Sequence, residues 1–265
     1  MRVMVIGSGA REHAIGWKLR HSTQVKELFV APGNAGTESF ARNVAIEAEN
    51  ISELLRFALD KRIDFTVVGP EAPLSHGIVD RFQDVGLPVF GPTKAAARIE
   101  SSKSFAKDLM LRSGVPTARA LIFDDYELAC KYVRQVKLPI VIKADGLAAG
   151  KGVVVAYTRE DALEALHRQM VNREFGDQGD RVLVEEFLQG TEFSVFAFTD
   201  GHSISKLISA CDYKRVGDGD IGPNTGGMGS YSPPKSNIWN DSVELQVREV
   251  IMEPVVSALE EKGVP

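Results

Sequence analysis

The stretch Ile142-Lys143-Ala144-Asp145-Gly146-Leu147-Ala148-Ala149-Gly150-Lys151-Gly152-Val153 decides how the second half of the chain is read. A P-loop places its Lys, followed by Ser or Thr, at the opening of a helix. Here Lys151 is followed by Gly152 and the β-branched run Val153-Val154-Val155, so the glycine turn joins two strands. A Lys closing the first strand, a small-residue turn and a second Lys together present ammonium and backbone N–H groups to polyphosphate oxygens. A hairpin tip with solvated lysines is the plainer alternative.

Working outward, a strand over Ala118 to Phe123 and a helix over Asp124 to Gln135 precede this hairpin, and a helix over Arg159 to Val171 follows it. Further strands are expected at Arg181 to Glu186, Phe193 to Thr199 and Ser203 to Leu207, the last two joined by an Asp200-Gly201 turn. Cys211 to Tyr231 reads as a long loop crowded with Gly, Asp, Asn and Pro, of the kind that carries function. Ser242 to Lys262 reads as helix, kinked or split by Pro254.

Ahead of Gly91 the pattern is different. Strands at Arg2 to Ile6, Glu27 to Ala31, Phe65 to Val68 and Pro88 to Phe90 alternate with helices at Arg11 to Arg20, Ile51 to Lys61 and Ser75 to Asp84. Each strand runs into Gly or Pro. This alternation implies a doubly wound parallel sheet whose ligands sit beyond the carboxyl ends of the strands. Helices at Thr93 to Ile99 and Ser102 to Arg112, the second stopped by Gly114-Val115-Pro116, open the second unit.

Composition is that of a globular enzyme. The 265 residues carry 31 Lys plus Arg against 36 Asp plus Glu, a net charge of -5, with 44% hydrophobic and 25% charged residues. The acidic balance argues against nucleic acid as a partner. The longest apolar run near the N-terminus, Val3 to Ile6, is far shorter than a membrane span, and a single Arg2 ahead of it does not make a secretory n-region, so a cytoplasmic location and no membrane partner are expected. Cys130 and Cys211 are isolated thiols without metal-ligand spacing. The 24 Gly concentrate in a few short loops, where close approach of backbone to a ligand is expected.

Five further stretches carry chemistry. Val5-Ile6-Gly7-Ser8-Gly9-Ala10-Arg11-Glu12-His13 leaves a strand and opens a helix, a setting in which N–H groups take an anion. Glu12 stands where a dinucleotide fingerprint has its third Gly, so a small anionic substrate fits better than a dinucleotide. A ligand-free strand-to-helix turn is the alternative, and an NAD-dependent oxidoreductase would rest on Gly7 to Gly9 alone. The loops Ala31 to Thr37, with Asn34, Gly36 and Thr37, and Gly69-Pro70-Glu71 end neighbouring strands and converge on the same crevice. Glu185-Glu186-Phe187-Leu188, then Glu192, place carboxylates to accept from ribose hydroxyls, while the Phe187-Leu188 backbone offers the donor and acceptor that an adenine edge needs. An exposed acidic turn is the alternative there. Lys214 and Arg215 can hold phosphates, and the turn Asn224-Thr225-Gly226-Gly227 offers unblocked N–H groups to a carboxylate or oxyanion.

In order and in register, VIGSGAREHA, VAPGNAGT, VVGPEAPL, FGPT, IKADGLAAGKGV, VEEFLQGTEFS and DYKRVGDGDIGPNTGGMGSYSP resemble the glycinamide ribonucleotide synthetases, the phosphoribosylamine–glycine ligases of purine biosynthesis in the ATP-grasp superfamily. The resemblance runs from Met1 to about Tyr231. It implies an α/β chain with an N-terminal doubly wound parallel sheet, the pre-ATP-grasp domain, over 1–100. An incomplete ATP-grasp domain over 101–265 follows, with a small lid subdomain at about 118–190. The implied reaction joins 5-phosphoribosylamine to glycine through a glycyl-phosphate, releasing ADP and phosphate.

Carried across by residue, the resemblance assigns ATP to Lys103, Lys143, Asp145, Gly146, Ala149, Gly150, Lys151, Gly152, Glu185, Glu186, Phe187, Leu188 and Glu192. It assigns phosphoribosylamine to Gly7, Gly9, Arg11, Glu12, Asn34, Gly36, Thr37, Gly69, Pro70 and Glu71. The reacting centre would be bordered by Asp212, Lys214, Arg215, Asn224, Thr225 and Gly226. The family's Mg2+ or Mn2+ ligands, a Glu and an Asn in a motif resembling EFNxRFGDPE, would lie beyond Pro265, so no metal ligand is assigned within this chain. The expectation is a C-terminally truncated chain and a monomer. The alternative to a working ligase is a nucleotide- or substrate-binding fragment without turnover.

Overall fold

The computed structural model describes residues 1–148, 152–219 and 221–264, with Pro223 and Asn224 described as backbone only. The chain divides into two compact units, Met1–Ser102 and Lys103–Pro265.

In the first unit, strands β1 (Arg2–Gly7), β2 (Glu27–Pro32), β3 (Arg42–Asn43), β4 (Phe65–Val68) and β5 (Val89–Phe90) form one parallel sheet in the order β3-β2-β1-β4-β5. Helices α1 (Ala10–Arg20), α2 (Ile51–Lys61), α3 (Glu71–Ser75), α4 (Ile78–Gln83) and α5 (Arg98–Ser101) complete it. Side chains alternate across a strand. Met4 and Ile6 therefore pack with Leu54 and Ala58 of α2 and Ile78 and Phe82 of α4, while Val3 and Val5 pack with Ile15 and Leu19 of α1. Helices on both faces bury both sides of the sheet, and the strand order reverses between β1 and β4, so their carboxyl ends border the crevice of a doubly wound fold.

The second unit contains α6 (Lys103–Arg112) and a four-stranded antiparallel sheet in the order β6-β9-β7-β8, made of β6 (Ala120–Phe123), β9 (Val182–Glu186), β7 (Ile140–Ala144) and β8 (Val153–Ala156). Helices α7 (Tyr126–Val133) and α8 (Arg159–Leu166) cover one face, burying Ala129, Val133, Ala162 and Leu166 against Ile140, Ile142, Val182 and Val184. The register Lys143↔Val153 makes the glycine stretch a strand-to-strand connection, as its sequence requires. Then come β10 (Ser194–Phe196), β11 (Ile208–Asp212), β12 (Arg215–Gly217), β13 (Ile221–Asn224), β14 (Ser230–Tyr231), α9 (Asp241–Val247) and α10 (Glu253–Glu261).

Several elements differ from their sequence-based expectation. The helix expected at Ser75 to Asp84 is two short ones, because Gly77 adopts the left-handed φ of +85° between them. Thr93 to Ile99 is mostly turn, and α5 begins only at Arg98. The strand expected at Ser203 to Leu207 lies instead at Ile208–Asp212. The Asp200 carboxylate takes the amides of His202 and Ser203 and closes the turn, but the pairing there is reduced to a single bridge between Thr199 and Ile204. Within Cys211 to Tyr231, expected as one long loop, the described residues form short antiparallel pairs. At the C-terminal end, a wide helical turn at Arg248–Met252 joins α9 to α10 and leaves Pro254, which has no N–H, in the first turn of α10.

Candidate active site

Strand parity builds the centre of the second unit. In β9, Val182 and Val184 face the helices, so Leu183 and Glu185 face the other way, and in β7 the same parity turns Lys143 away from Ile140 and Ile142. Lys143 pairs with Leu183, which makes Glu185 its diagonal neighbour on that face. Glu185 Oε2 lies 2.6 Å from Lys143 Nζ, and Glu185 Oε1 lies 3.0 Å from the Nζ of Lys107 on α6. Lys107 donates further to Thr117 Oγ1 at 2.7 Å and to the Ala118 carbonyl at 2.8 Å. The Lys107 and Glu185 side chains are each 6% exposed, whereas Lys143 is 29% exposed, so only one ammonium of the cluster reaches solvent.

Beside this cluster, Asp145 joins the glycine stretch to the start of α6. Its carboxylate accepts from the Ser104 amide at 2.7 Å and the Ser104 hydroxyl at 2.6 Å, and Arg181 stands 3.6 Å away. A carboxylate at a helix N-terminus satisfies otherwise unpaired N–H groups and opposes the positive end of the dipole. Lys103 donates its amide to the Asp145 carbonyl and its Nζ to the Gly146 carbonyl at 2.8 Å. The exposed Gln178 side chain lies over Gly146, where a Cβ would fall 1.1 Å from Gln178 Oε1 and would require that side chain to turn away. At the far end of the stretch, Gln169 donates to the Gly152 carbonyl at 3.3 Å. Ala149, Gly150 and Lys151 lie outside the described residues.

The remaining expected residues of this unit fall in separate places. Glu186 points away from Glu185 and pairs with Arg119, whose amide and guanidinium hold its carboxyl below the usual range. Leu188 is exposed, and the Phe187 ring lies 6.0 Å from that of Tyr157. Glu192 forms an ion pair with Lys214, and the hydrogen bond between them raises the Lys214 pKa. Asp212 ends β11 opposite Ser230. Arg215 donates to the Gly222 carbonyl within the β12–β13 hairpin. The turn of Asn224, Thr225 and Gly226 departs from expectation. The Thr225 amide donates to the Lys214 carbonyl at 2.6 Å and the Gly227 amide to Thr225 Oγ1 at 3.0 Å, so two N–H groups expected to be unblocked are spent within the chain.

In the first unit, the loops at the ends of β1 and β4 close around Glu12. Its side chain is 4% exposed, and its carboxylate accepts from the Gly9 amide at 2.8 Å and from Arg11 Nε at 3.0 Å. Gly7, Gly9 and Gly69 are packed against that side chain, since a Cβ on any of them would lie within 2.9 Å of it. Arg11 extends from Glu12 to Glu71, donating to its carboxylate at 2.8 Å, which lowers the Glu71 pKa and raises that of Arg11. Pro70 precedes α3 with an extended backbone. Asn34 is largely consumed by its own turn. Its Oδ1 accepts from the Gly36 and Thr37 amides, and its Nδ2 donates to the Ser8 carbonyl, tying this turn to the glycine loop after β1. Thr37 donates its hydroxyl to Asn34 O and Asn43 Oδ1.

Lys107 is the residue the sequence reading missed. Its signal was present, because the i, i+4 spacing from Lys103 places both cations on one side of α6. Its direction toward Glu185 is a tertiary fact. Among the described residues, no group of three or more His, Cys, Asp and Glu is arranged to hold a metal ion. No helix of the described residues is long and apolar enough to cross a membrane.

A glycine stretch joining two strands of an antiparallel sheet, with lysines at the strand end and on the adjacent helix, is the arrangement of an ATP-grasp protein. The family model for the phosphoribosylglycinamide synthetase ATP-grasp (A) domain matches residues 101–265, and that for the phosphoribosylglycinamide synthetase N domain matches residues 1–100. The chain belongs to the phosphoribosylglycinamide synthetase family. It is 48% identical over 267 residues to a phosphoribosylamine–glycine ligase of Vibrio parahaemolyticus and 49% identical over 265 residues to that of Escherichia coli. These matches cover 100% and 99% of the chain but 62% and 61% of the relatives, so the chain spans about three fifths of their length. The crystal structure of a phosphoribosylamine–glycine ligase from Thermotoga maritima superposes with a TM-score of 0.83 at 33% identity, over 99% of this chain and 62% of that one. The biotin carboxylase domain of the Hydrogenobacter thermophilus 2-oxoglutarate carboxylase shares the fold at a TM-score of 0.71 and 17% identity, over 99% of this chain and 58% of that one.

Proposed function

We propose that this chain forms the nucleotide- and substrate-binding part of an enzyme that joins 5-phosphoribosylamine to glycine, converting ATP to ADP and phosphate in purine biosynthesis. The observation that carries the reading is the Lys143–Glu185–Lys107 cluster beside the glycine stretch, in which one ammonium remains open to an anion. Lys143, with Lys103 and the 145–152 stretch, would hold the triphosphate, and residues 118–190 would act as a lid above it. The Glu185 to Leu188 segment would take the adenine and Glu192 the ribose. Residues 1–100 would present Gly7, Gly9, Arg11, Glu12, the Asn34 turn and Gly69 to Glu71 to the phosphoribosylamine. Asp212, Lys214, Arg215 and the Asn224 to Gly226 turn would border the reacting atoms.

The chemistry asks for positioning rather than a protein nucleophile. A glycine carboxylate oxygen attacks the γ-phosphorus and the bond to the β,γ-bridging oxygen breaks, leaving ADP and glycyl-phosphate. The phosphoribosylamine nitrogen then attacks the acyl carbon, phosphate leaves with the electron pair of the C–O bond, and the nitrogen loses a proton. Lysine ammonium groups oppose the charge that accumulates on the phosphate oxygens. A Mg2+ or Mn2+ requirement, a cytoplasmic location and a monomeric state belong to the same reading.

The Lys143–Glu185–Lys107 cluster offers an anion site without a group that must react, so it also fits a second reading, a nucleotide-binding module without turnover. Calorimetric ATP titration of the chain and an ADP-release assay with glycine and 5-phosphoribosylamine separate the two. Release that requires both substrates supports the ligase, and binding without release supports the module. Failure to bind ATP overturns both.

A further inference from the structure

Lys107 is a buried ammonium with three acceptors, Thr117 Oγ1 at 2.7 Å, the Ala118 carbonyl at 2.8 Å and Glu185 Oε1 at 3.0 Å. An ammonium has three protons to donate, so these partners account for all of them and leave none for a ligand. Burying such a charge is costly, and a neutral donor would suffice to tie Thr117 and Ala118. What a neutral donor cannot supply is charge. Glu185 stands between two ammonium groups, and the group of three carries one net positive charge. Since Lys107 and Glu185 are each only 6% exposed, that charge is presented to solvent by Lys143 alone. If residue 107 were neutral, Glu185 and Lys143 would form a closed pair, and an arriving phosphate would compete with a carboxylate already 2.6 Å from the Lys143 ammonium.

We propose that Lys107 is a positioning residue for phosphate binding that does not touch the phosphate: by sharing Glu185 it leaves the Lys143 charge uncompensated toward the ligand. The proposal deepens the ATP-site reading above and rests on it.

The test titrates ATP and inorganic tripolyphosphate, a probe with no base or sugar, into the wild-type chain, Lys107→Met, Glu185→Gln and the double variant. Lys107→Met is expected to weaken both probes by about tenfold or more, the scale of one charge lost at a partly buried site. Removing Glu185 as well unpairs Lys143 again, so the double variant is expected to return to within about threefold of wild type for tripolyphosphate. A purely structural role for Lys107 would leave the double variant as weak as the single one, and that result overturns the proposal.

If Lys107→Met does not fold, the double variant decides alone against the same thresholds. If neither folds, Lys107→Arg decides, because it keeps the charge and is expected to retain tripolyphosphate binding to within about threefold, its loss overturning the proposal. Wild-type chain that binds neither probe removes the ATP site, and the proposal with it. Wild-type binding left unchanged in Lys107→Met removes the proposal alone.

Discussion

Glu12 occupies the space that a side chain at residue 69 would need: a Cβ on Gly69 would lie 2.2 Å from Glu12 Oε1 and 2.4 Å from Glu12 Cγ. The carboxylate cannot simply swing aside, because Gly9 and Arg11 hold it in a site where the side chain is 4% exposed. Gly69→Ala is therefore expected to destabilise the chain by about 1–3 kcal/mol in urea unfolding. In a Glu12→Ala background the Gly69→Ala cost should fall by about 1 kcal/mol or more, since the clash partner is gone. Gly7→Ala should not be relieved in the same way, because Gly7 also has a φ of +127°. Equal costs for Gly69→Ala with and without Glu12 would refute this account.

Lys143 and Lys137 are close in sequence and differ in surroundings. Lys143 belongs to the buried ion cluster, and Lys137 is exposed just before β7. In calorimetric titration, Lys143→Ala is expected to weaken ATP binding by about tenfold or more, while Lys137→Ala changes it by less than about twofold. Equal affinities for the two variants would remove phosphate binding from Lys143.

Glu71 titrates against Arg11, whose hydrogen bond holds the carboxyl below its ordinary 4.5. A carboxyl depressed in the folded state adds stability above its ordinary value and loses that contribution as pH falls through the folded one. Because the Glu71 side chain is 44% exposed, solvent screens the pair and its worth is about 0.2–1 kcal/mol. Glu71→Gln should lower unfolding stability by that amount near neutrality, with the gap to wild type narrowing toward the acid limb. A gap that widens on acidification would contradict the sign.

Asp145 is held by Ser104 at the first turn of α6. Asp145→Ala removes the acceptor for two donors and is expected to cost about 1–3 kcal/mol, while Asp145→Asn, which keeps one oxygen, should cost less. Thermal unfolding read by circular dichroism orders the three proteins, and equal midpoints would show that the carboxylate is not needed there.

Much of the fold is legible locally. The apolar runs of β1, β2 and β4 and the Gly or Pro after each specify parallel strands feeding helices. The β-branched run after Gly152 distinguishes a strand-to-strand turn from a P-loop. Legibility fails where geometry depends on distant groups. The Asn224 to Gly227 turn looks open because Gly and Asn are common ligand-binding residues, yet its amides find Lys214 O and Thr225 Oγ1. Ser203 to Leu207 and Ile208 to Asp212 both suit a strand, and only pairing with Ser194–Phe196 selects the second.

From sequence alone, the side-chain period of a strand, which is two, sets Lys143 on the opposite face from Ile142 and Glu185 on the opposite face from Val184. The spacing of Lys103 and Lys107 likewise puts two cations on one side of a helix. Which of those cations meets Glu185, and that the Glu12 side chain packs against both Gly7 and Gly69, was settled only by tertiary structure. Local periodicity specifies the face a side chain takes, but the group across that face belongs to a segment far away in the chain, and no local period records it.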